Sequence, residues 1–238
     1  MGNFCAPTLC NDLTIAEWQH ATIAPSARHV ATVIWLHGLG DSGLSWYKCV
    51  IEAKPLPHVK YIFPSAPFRS VTLNGGMAMP AWFDIYGLRP EDKEDEAGIN
   101  RSSVFLAQII AREIKQGISP NNIAVVGFSQ GGALAAHTCF RTLTYQLGAV
   151  VLLSSYVPLA TSFAPSNNNT PTLVCHGDRD MLIPAMYAHK SVELLKSHRV
   201  PTELKLYRGL AHASNTSEMA DVCQFLARHL NVSLPSHV

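Results

Sequence analysis

Short stretches rich in valine, isoleucine, leucine and alanine recur along the chain, separated by glycine, proline and polar residues. Apolar runs of about four to eight residues are typical of strands that are buried on both faces of a sheet. On this pattern we predict strands at residues 31–36, 59–63, 123–126, 148–153, 172–176 and 202–207.

Longer stretches between these strands predict helices at residues 44–53, 96–116, 133–140, 184–197 and 217–230. In the second of them, Phe105 and Ile109 lie at helical spacing, and Gly117 ends the pattern. Strands that alternate with helices imply right-handed crossovers and a mostly parallel sheet with helices on both faces. We therefore predict an α/β fold with one folded domain at residues 25–232, an N-terminal extension at residues 1–24 and a C-terminal tail at residues 233–238.

Two connections decide what could cover the sheet. Residues 64–84 show no periodicity, so we predict a long loop, too apolar for disorder and therefore packed onto the domain, with Gly75 and Gly76 as a flexible joint. Residues 155–170 contain prolines and three consecutive asparagines. That connection is too short and too broken for a separate lid domain.

The stretch from Ile123 to Gly132 joins a predicted strand directly to Gly-x-Ser-x-Gly and then to a predicted helix. This setting makes the motif a nucleophile elbow, a sharp turn that presents a serine at the start of a helix. Side chains at positions 127 and 131 would collide with the neighbouring strand and helix, which explains the glycines. We predict Ser129 as the nucleophile, with the Gln130 N–H directed at the same space.

A serine hydroxyl needs an imidazole to take its proton and a carboxylate to orient that imidazole. Sites in parallel sheets form at the carboxyl ends of strands, and two further strand ends carry these groups. Asp178 and Asp180 follow one strand, and His212 follows the next, which is the order of α/β-hydrolases. On local grounds the two aspartates are equivalent, because either could orient His212 while the other caps the turn.

A glycine-rich loop at residues 37–43 follows the first predicted strand. It has neither a Walker lysine nor GxGxxG spacing, so phosphate binding is disfavoured. We expect its backbone N–H groups to supply the second half of an oxyanion hole. His37, at the end of the strand, is expected to pack or hydrogen-bond rather than to catalyse.

Composition narrows the class of protein. A hydrophobic fraction of 47% with 15% charged residues suits a globular core, and a net charge of +1 gives no sign of nucleic-acid binding. No apolar run approaches a membrane span, and the N-terminus lacks the pattern of a signal peptide. The six cysteines form no CxxC pair and are expected to be reduced thiols of an intracellular protein. No metal motif is present, and we expect neither a metal nor an organic cofactor.

The first residues include Gly2, Cys5 and Cys10 and resemble the start of a myristoylated and palmitoylated tail. Ala6, however, stands where the myristoylation motif has serine or threonine. A plain N-terminal extension is the alternative. Acylation would add peripheral membrane attachment to a protein that we otherwise expect in the cytoplasm.

Five motifs together carry a resemblance to a known family: HGLGD from His37, PxAP from Pro64, WFD from Trp82, GFSQGG from Gly127 and HGDxD from His176. Over about residues 25–230 the chain resembles the acyl-protein thioesterase (lysophospholipase/carboxylesterase) family. The resemblance implies Asp180 as the triad acid. It implies Leu39 and Gln130 as the N–H donors of the oxyanion hole.

The same resemblance implies a groove for an acyl chain beside residues 73–82. The substrate-binding residues that it suggests are Leu73, Met77, Met79, Trp82 and Phe83. Gly75 and Gly76 depart from the bulkier residues that relatives often carry there.

These observations predict a serine hydrolase that cleaves acyl thioesters, with S-palmitoyl-cysteine on proteins as the expected substrate. A lysophospholipase or a small-ester carboxylesterase is the alternative within the same chemistry, because thioesters and oxyesters share one mechanism. A catalytically silent hydrolase fold that only binds ligands is a remote alternative, since every triad residue is present.

Overall fold

A computed structural model describes residues 20–89 and 91–234. The strands are β1 His20–Ile23, β2 Ala31–Leu36, β3 Val59–Pro64, β4 Phe68–Val71, β5 Met77–Pro80, β6 Ile123–Phe128, β7 Ala149–Leu153, β8 Thr172–Gly177 and β9 Thr202–Tyr207. The helices are α1 Gly43–Glu52, α2 Glu96–Lys115, α3 Gln130–His137, α4 Met186–Ser197 and α5 Thr216–His229. The main sheet has the order β1-β3-β2-β6-β7-β8-β9, and β4 pairs only with β5.

The predicted α/β fold is confirmed, and every predicted strand is present in the main sheet. Strands β2, β6 and β7 are buried along nearly their whole length, as their continuous apolar sequences require. Successive residues face opposite sides, so Ile34 packs into one core and Val33 into the other. Helices α2, α3 and α4 contribute to the first core, and α1 and α5 to the second.

The sheet begins earlier than we predicted. Strand β1 pairs antiparallel with β3, and its His20 lies opposite Pro64. The sheet therefore includes residues within the range 1–24 that we predicted as an N-terminal extension. Gly2, Cys5 and Cys10 lie outside the described residues, as does the end of the C-terminal tail.

The predicted long loop at residues 64–84 is instead built around a β-hairpin, in which β4 pairs antiparallel with β5. Gly75 and Gly76 both have positive φ and form the turn, where their N–H groups donate to the carbonyls of Thr72 and Val71. These glycines therefore close the hydrogen-bonded turn of a hairpin and do not lie within an irregular loop.

The connection between β7 and β8 carries no lid domain, as predicted. Its only helical segment is a short 3₁₀ turn, Ala160–Ser162. Helix α3 begins at Gln130, earlier than predicted, and passes into a π-helical segment at Thr138–Thr142. The connection between β7 and β8 therefore places no helical lid over the carboxyl ends of the central strands.

Candidate active site

The candidate site lies at the carboxyl ends of parallel strands, where Ser129 follows β6, Asp180 follows β8 and His212 follows β9. Strand β8 lies between β7 and β9, and β7 pairs with β6. Neighbouring parallel strands end at the same edge of the sheet, so residues far apart in sequence meet there.

The turn at Ser129 has the strained geometry of a nucleophile elbow, with φ 52° and ψ −118°. A Cβ at Gly131 would lie 2.5 Å from the His37 carbonyl oxygen, and one at Gly127 would overlap the Gly131 carbonyl. The Ser129 N–H donates to the Leu153 carbonyl at 2.8 Å. Close contact with β2, α3 and β7 thus explains both glycines and holds the serine in place.

Three predicted side chains meet in a hydrogen-bonded chain. His212 Nε2 lies 3.0 Å from Ser129 Oγ, and His212 Nδ1 lies 2.7 Å from Asp180 Oδ2. A carboxylate only accepts, so Nδ1 carries the proton and the Nε2 lone pair faces the serine hydroxyl. The arrangement can remove a proton from Ser129 and stabilise the imidazolium that results.

The structure distinguishes the two aspartates that local sequence left equivalent. Asp180 is buried, and its Oδ1 accepts hydrogen bonds from the N–H groups of Leu182 and Ile183 at 2.9 and 2.8 Å. Asp178 is exposed, and its Oδ1 accepts from the Gly209 N–H at 2.6 Å. Asp180 therefore orients the histidine, while Asp178 caps the turn that follows β9.

Two further histidines in the motifs are buried and hydrogen-bonded to the main chain. His176 Nε2 donates to the Ile183 carbonyl at 2.7 Å, and burial lowers the pKa of His176. His37 Nε2 accepts from the Ala66 N–H at 2.9 Å, and burial likewise lowers the pKa of His37. A His37 nitrogen that accepts a backbone hydrogen bond cannot serve as a base, in agreement with the packing role that we expected.

The residues proposed as oxyanion donors follow adjacent strands. Leu36 of β2 pairs with Gly127 of β6, so the loop that carries Leu39 and the elbow that carries Gln130 leave the sheet side by side. A Cβ built on Gly38 would lie 3.4 Å from Ser129 Cβ. The loop thus lies against the nucleophile, where backbone N–H groups could stabilise a negative oxygen.

The residues predicted to line an acyl groove fall into two groups. Met77 and Leu73 are exposed on the hairpin, and Met79 is half-buried. Trp82 and Phe83 are instead buried in the core formed with α2, α3 and α4. Trp82 is fully enclosed and hydrogen-bonded through its indole, so it does not present a free groove wall in this structure.

Two contacts that shape the site could not be predicted from the sequence. The Phe128 ring packs against the His212 imidazole with centroids 4.9 Å apart. Ser155 Oγ donates to the Ser129 carbonyl at 2.7 Å. Phe128 lies inside the elbow motif and Ser155 follows a strand end, but only the folded chain shows what each residue contacts.

A buried carboxyl lies beside the histidine loop. Glu218, in the first turn of α5, is fully enclosed, and burial raises its pKa to about 7. The nearby Asp221 adds to this increase, while the Ser214 hydroxyl opposes it. Burial raises the pKa of the Cys175 thiol on β8, and the charge of Glu218 adds to this increase. Folding therefore makes this carboxyl hold its proton more tightly.

We expect Glu218→Gln to stabilise the protein at alkaline pH. The pKa of Glu218 rises from 4.5 to about 7, so ionisation costs folding energy above pH 4.5 and the cost is complete above pH 7. At pH 8 the variant should unfold with a free energy higher by about 3 kcal/mol, and at pH 4 the difference should vanish. Denaturant unfolding at both pH values measures this.

Glu113→Gln is the matched control. Glu113 is equally buried, but its carboxylate lies 2.6 Å from Lys60 Nζ and accepts from Thr32 Oγ1. Removing that charge leaves the lysine without its partner, so this variant should be destabilised at pH 8. Stabilisation by Glu113→Gln, or none by Glu218→Gln, would contradict the assignment.

Within residues 20–89 and 91–234, no cluster of three or more histidine, cysteine, aspartate or glutamate side chains could hold a metal ion. No helix in the same part of the chain is both long and apolar enough to cross a membrane. The four cysteines described there, Cys49, Cys139, Cys175 and Cys223, are free thiols.

Comparison with known proteins points to one family. A sequence model of the phospholipase/carboxylesterase family matches residues 18–230. The chain is 37% identical to an acyl-protein thioesterase 1 homolog of Dictyostelium discoideum over 207 residues, covering 85% of this chain and 92% of the relative. It is also 37% identical to acyl-protein thioesterase 1 of Kluyveromyces lactis, covering 89% of this chain and 96% of the relative.

Solved structures agree with the sequence relatives. The crystal structure of acyl-protein thioesterase 2 from Zea mays superposes with a TM-score of 0.80 at 30% identity, covering 89% of this chain and 99% of that chain. Arabidopsis thaliana SOBER1 superposes with a TM-score of 0.79 at 32% identity, covering 86% of this chain and 100% of that chain.

Proposed function

The chain belongs to the phospholipase/carboxylesterase family and is a carboxylic ester hydrolase, and from this premise we propose that it cleaves acyl thioesters, with S-palmitoyl-cysteine on proteins as its substrate. The observation that carries the proposal is the hydrogen-bonded chain Ser129–His212–Asp180 at the carboxyl ends of the parallel strands. The thioesterase names of the relatives support the choice of a thioester.

In the first half of the proposed reaction, Ser129 Oγ attacks the thioester carbonyl as His212 Nε2 takes its proton. The carbonyl oxygen becomes an oxyanion, held by the N–H groups of Leu39 and Gln130, each worth roughly 3 kcal/mol of the barrier. His212, held by Asp180, then gives its proton to the departing thiolate. The products are an acyl-serine and a free cysteine.

In the second half, water attacks the acyl-serine. His212 Nε2 removes a proton from that water, the same oxyanion hole receives the negative oxygen, and the proton returns to Ser129 Oγ as the fatty acid leaves. No step needs a cofactor. Because one set of residues serves both halves, loss of any triad residue should stop the cycle.

The lack of a helical lid between β7 and β8 favours a bulky leaving group. The connection that could carry a lid, between β7 and β8, contains only a 3₁₀ turn. A protein-borne thioester could therefore approach the serine without displacing a helical cover. A lysophospholipase or a small-ester carboxylesterase remains the alternative, because the same triad hydrolyses oxyesters.

A hydrolysis panel tests the proposal. S-palmitoyl-cysteine peptides, palmitoyl-lysophospholipids and palmitoyl oxyesters of a small alcohol would be compared by kcat/KM on the purified full chain. We expect the acyl-cysteine peptide to be the best substrate. If the chain hydrolyses the oxyesters but not that peptide, it is a general esterase. If a fluorophosphonate probe does not label it, it is a binding protein.

We further propose a cytoplasmic enzyme whose N-terminus is acylated at Gly2, Cys5 and Cys10. Any two of these three lipid chains would give stable membrane attachment, whereas one chain is marginal. We expect Cys5→Ser/Cys10→Ser to move the protein from the membrane fraction to the soluble fraction of fractionated cells. An unchanged distribution would mean that these residues form only a plain extension.

A further inference from the structure

Trp82 joins the two loops from which the proposed oxyanion donors come. Its indole Nε1–H donates to the His37 carbonyl at 2.8 Å, two residues before Leu39. Its main-chain N–H donates to the Gln130 side-chain oxygen at 2.9 Å. One residue thus bonds to both halves of the site.

The Gln130 side chain completes the bridge. Its Nε2 donates to the Phe83 carbonyl at 2.7 Å. The Gln130 amide therefore forms hydrogen bonds to two consecutive residues after β5, Trp82 and Phe83. The Trp82 carbonyl in turn accepts from the Ser102 hydroxyl on α2. The bridging segment is therefore tied to α2 as well as to the elbow.

The loop after β2 is fixed at a second point. The Gly40 N–H donates to the Pro80 carbonyl at 2.8 Å, just before the bridging segment. Leu39 thus lies between two attached residues, His37 and Gly40. Its N–H direction depends on both attachments.

These bonds are buried, which makes them costly to lose. Trp82 and His37 are fully enclosed, and Gln130 is only 2% exposed. A buried polar group that loses its partner is not rescued by water, so the network rigidifies whatever it connects. The His37 and Trp82 rings also contact each other, with centroids 5.0 Å apart.

We propose that Trp82 is a positioning residue that sets the separation of the two oxyanion donors, Leu39 N–H and Gln130 N–H. The inference rests on the proposed function, because it needs an oxyanion to be stabilised. It assigns Trp82 to transition-state geometry and not to recognition of the acyl chain. Misplacement of such donors by about 1 Å can cost about a hundredfold in rate.

Trp82→Phe tests this, since it keeps an aromatic ring and removes the indole N–H. We expect kcat to fall about tenfold or more, KM to stay within about twofold, and the loss to be equal for acetyl and long-chain esters. Affinity for a trifluoromethyl ketone, whose adduct with the serine carries an oxyanion, should fall by the same factor as kcat.

Trp35→Phe is the matched control. Trp35 is an equally buried tryptophan in the other core, and its Nε1 has no hydrogen-bond partner among the described residues. Its replacement should lower stability and leave kcat near the wild-type value. Wild-type kcat in Trp82→Phe, or a loss confined to long acyl chains, would overturn the proposal.

Gln130→Met provides a second test should Trp82→Phe not fold. It removes both side-chain bonds of the bridge and keeps the backbone N–H, so the same uniform loss of kcat is expected, and wild-type kcat would overturn the proposal. If the wild-type chain hydrolyses no acyl ester, the proposed function fails. Labelling by a fluorophosphonate also develops negative charge on an oxygen atom. Its rate would then be compared between the wild-type chain and the same variants.

Discussion

Replacement of Ser129 by alanine is expected to lower kcat by at least about three orders of magnitude, because no other group can form the acyl-enzyme. His212→Ala should cost about as much, since Ser129 Oγ then lacks the base that lies 3.0 Å away. The triple loss of Ser129, His212 and Asp180 should cost little more than either single loss. Single-turnover and steady-state kinetics on the full chain measure this.

Ser154→Ala is the control for the serine. Ser154 directly follows β7 and is buried, and its hydroxyl has no hydrogen-bond partner among the described residues. Its removal should leave kcat near the wild-type value. A Ser129→Ala variant with substantial turnover would mean that the hydrolysis does not pass through this residue.

Replacement of the two aspartates is expected to have very different effects on kcat. Asp180→Asn should also lower kcat by about three orders of magnitude, because an amide cannot stabilise the imidazolium and permits the wrong His212 tautomer. Asp178→Asn should be mild, since this exposed side chain only caps a turn through the Gly209 N–H. The reverse ranking would assign the acid to Asp178.

The strands and the nucleophile could be predicted from sequence because their signals are local. Strand β6 is a continuous apolar run, and Gly-x-Ser-x-Gly follows it at once. Because sites in parallel sheets form at the carboxyl ends of strands, Ser129 and His212 could be assigned to one site without any knowledge of side-chain positions. The choice between Asp178 and Asp180 needed a tertiary distance, so local sequence alone left it open.

The hairpin and Trp82 were misjudged for physical reasons. Strands β4 and β5 are only four residues long, most of their residues are at least partly exposed, and β5 ends in a proline. Their sequences therefore show neither the alternation of a strand nor the spacing of a helix. An aromatic residue in an apparent loop can face a ligand or the core with equal ease. Trp82 faces the core, where it bonds to His37 and Gln130. Because both partners lie more than forty residues away in the chain, local sequence could not predict this orientation.

The hairpin has two different faces. Pairing sets Met77 opposite Val71 and Met79 opposite Arg69, so the two methionines share one face. A Cβ on Gly40 would lie 3.7 Å from Met79 Sδ, which places this face toward the proposed oxyanion loop. Phe68, also exposed, alternates to the other face. We therefore propose that the methionine face of the hairpin lies along an acyl chain held at Ser129.

We expect kcat/KM to rise steeply with acyl length until the chain outgrows the methionine face. Each methylene removed from water contributes about 0.8 kcal/mol, or roughly fourfold. Met79→Ala and Met77→Ala should flatten this slope and spare acetyl esters, whereas Phe68→Ala, an apolar deletion on the opposite face, should leave the slope unchanged. If the wild-type chain hydrolyses short and long esters with equal kcat/KM, the hairpin does not bind the acyl chain. A slope that falls only in Phe68→Ala would place the acyl chain on the other face.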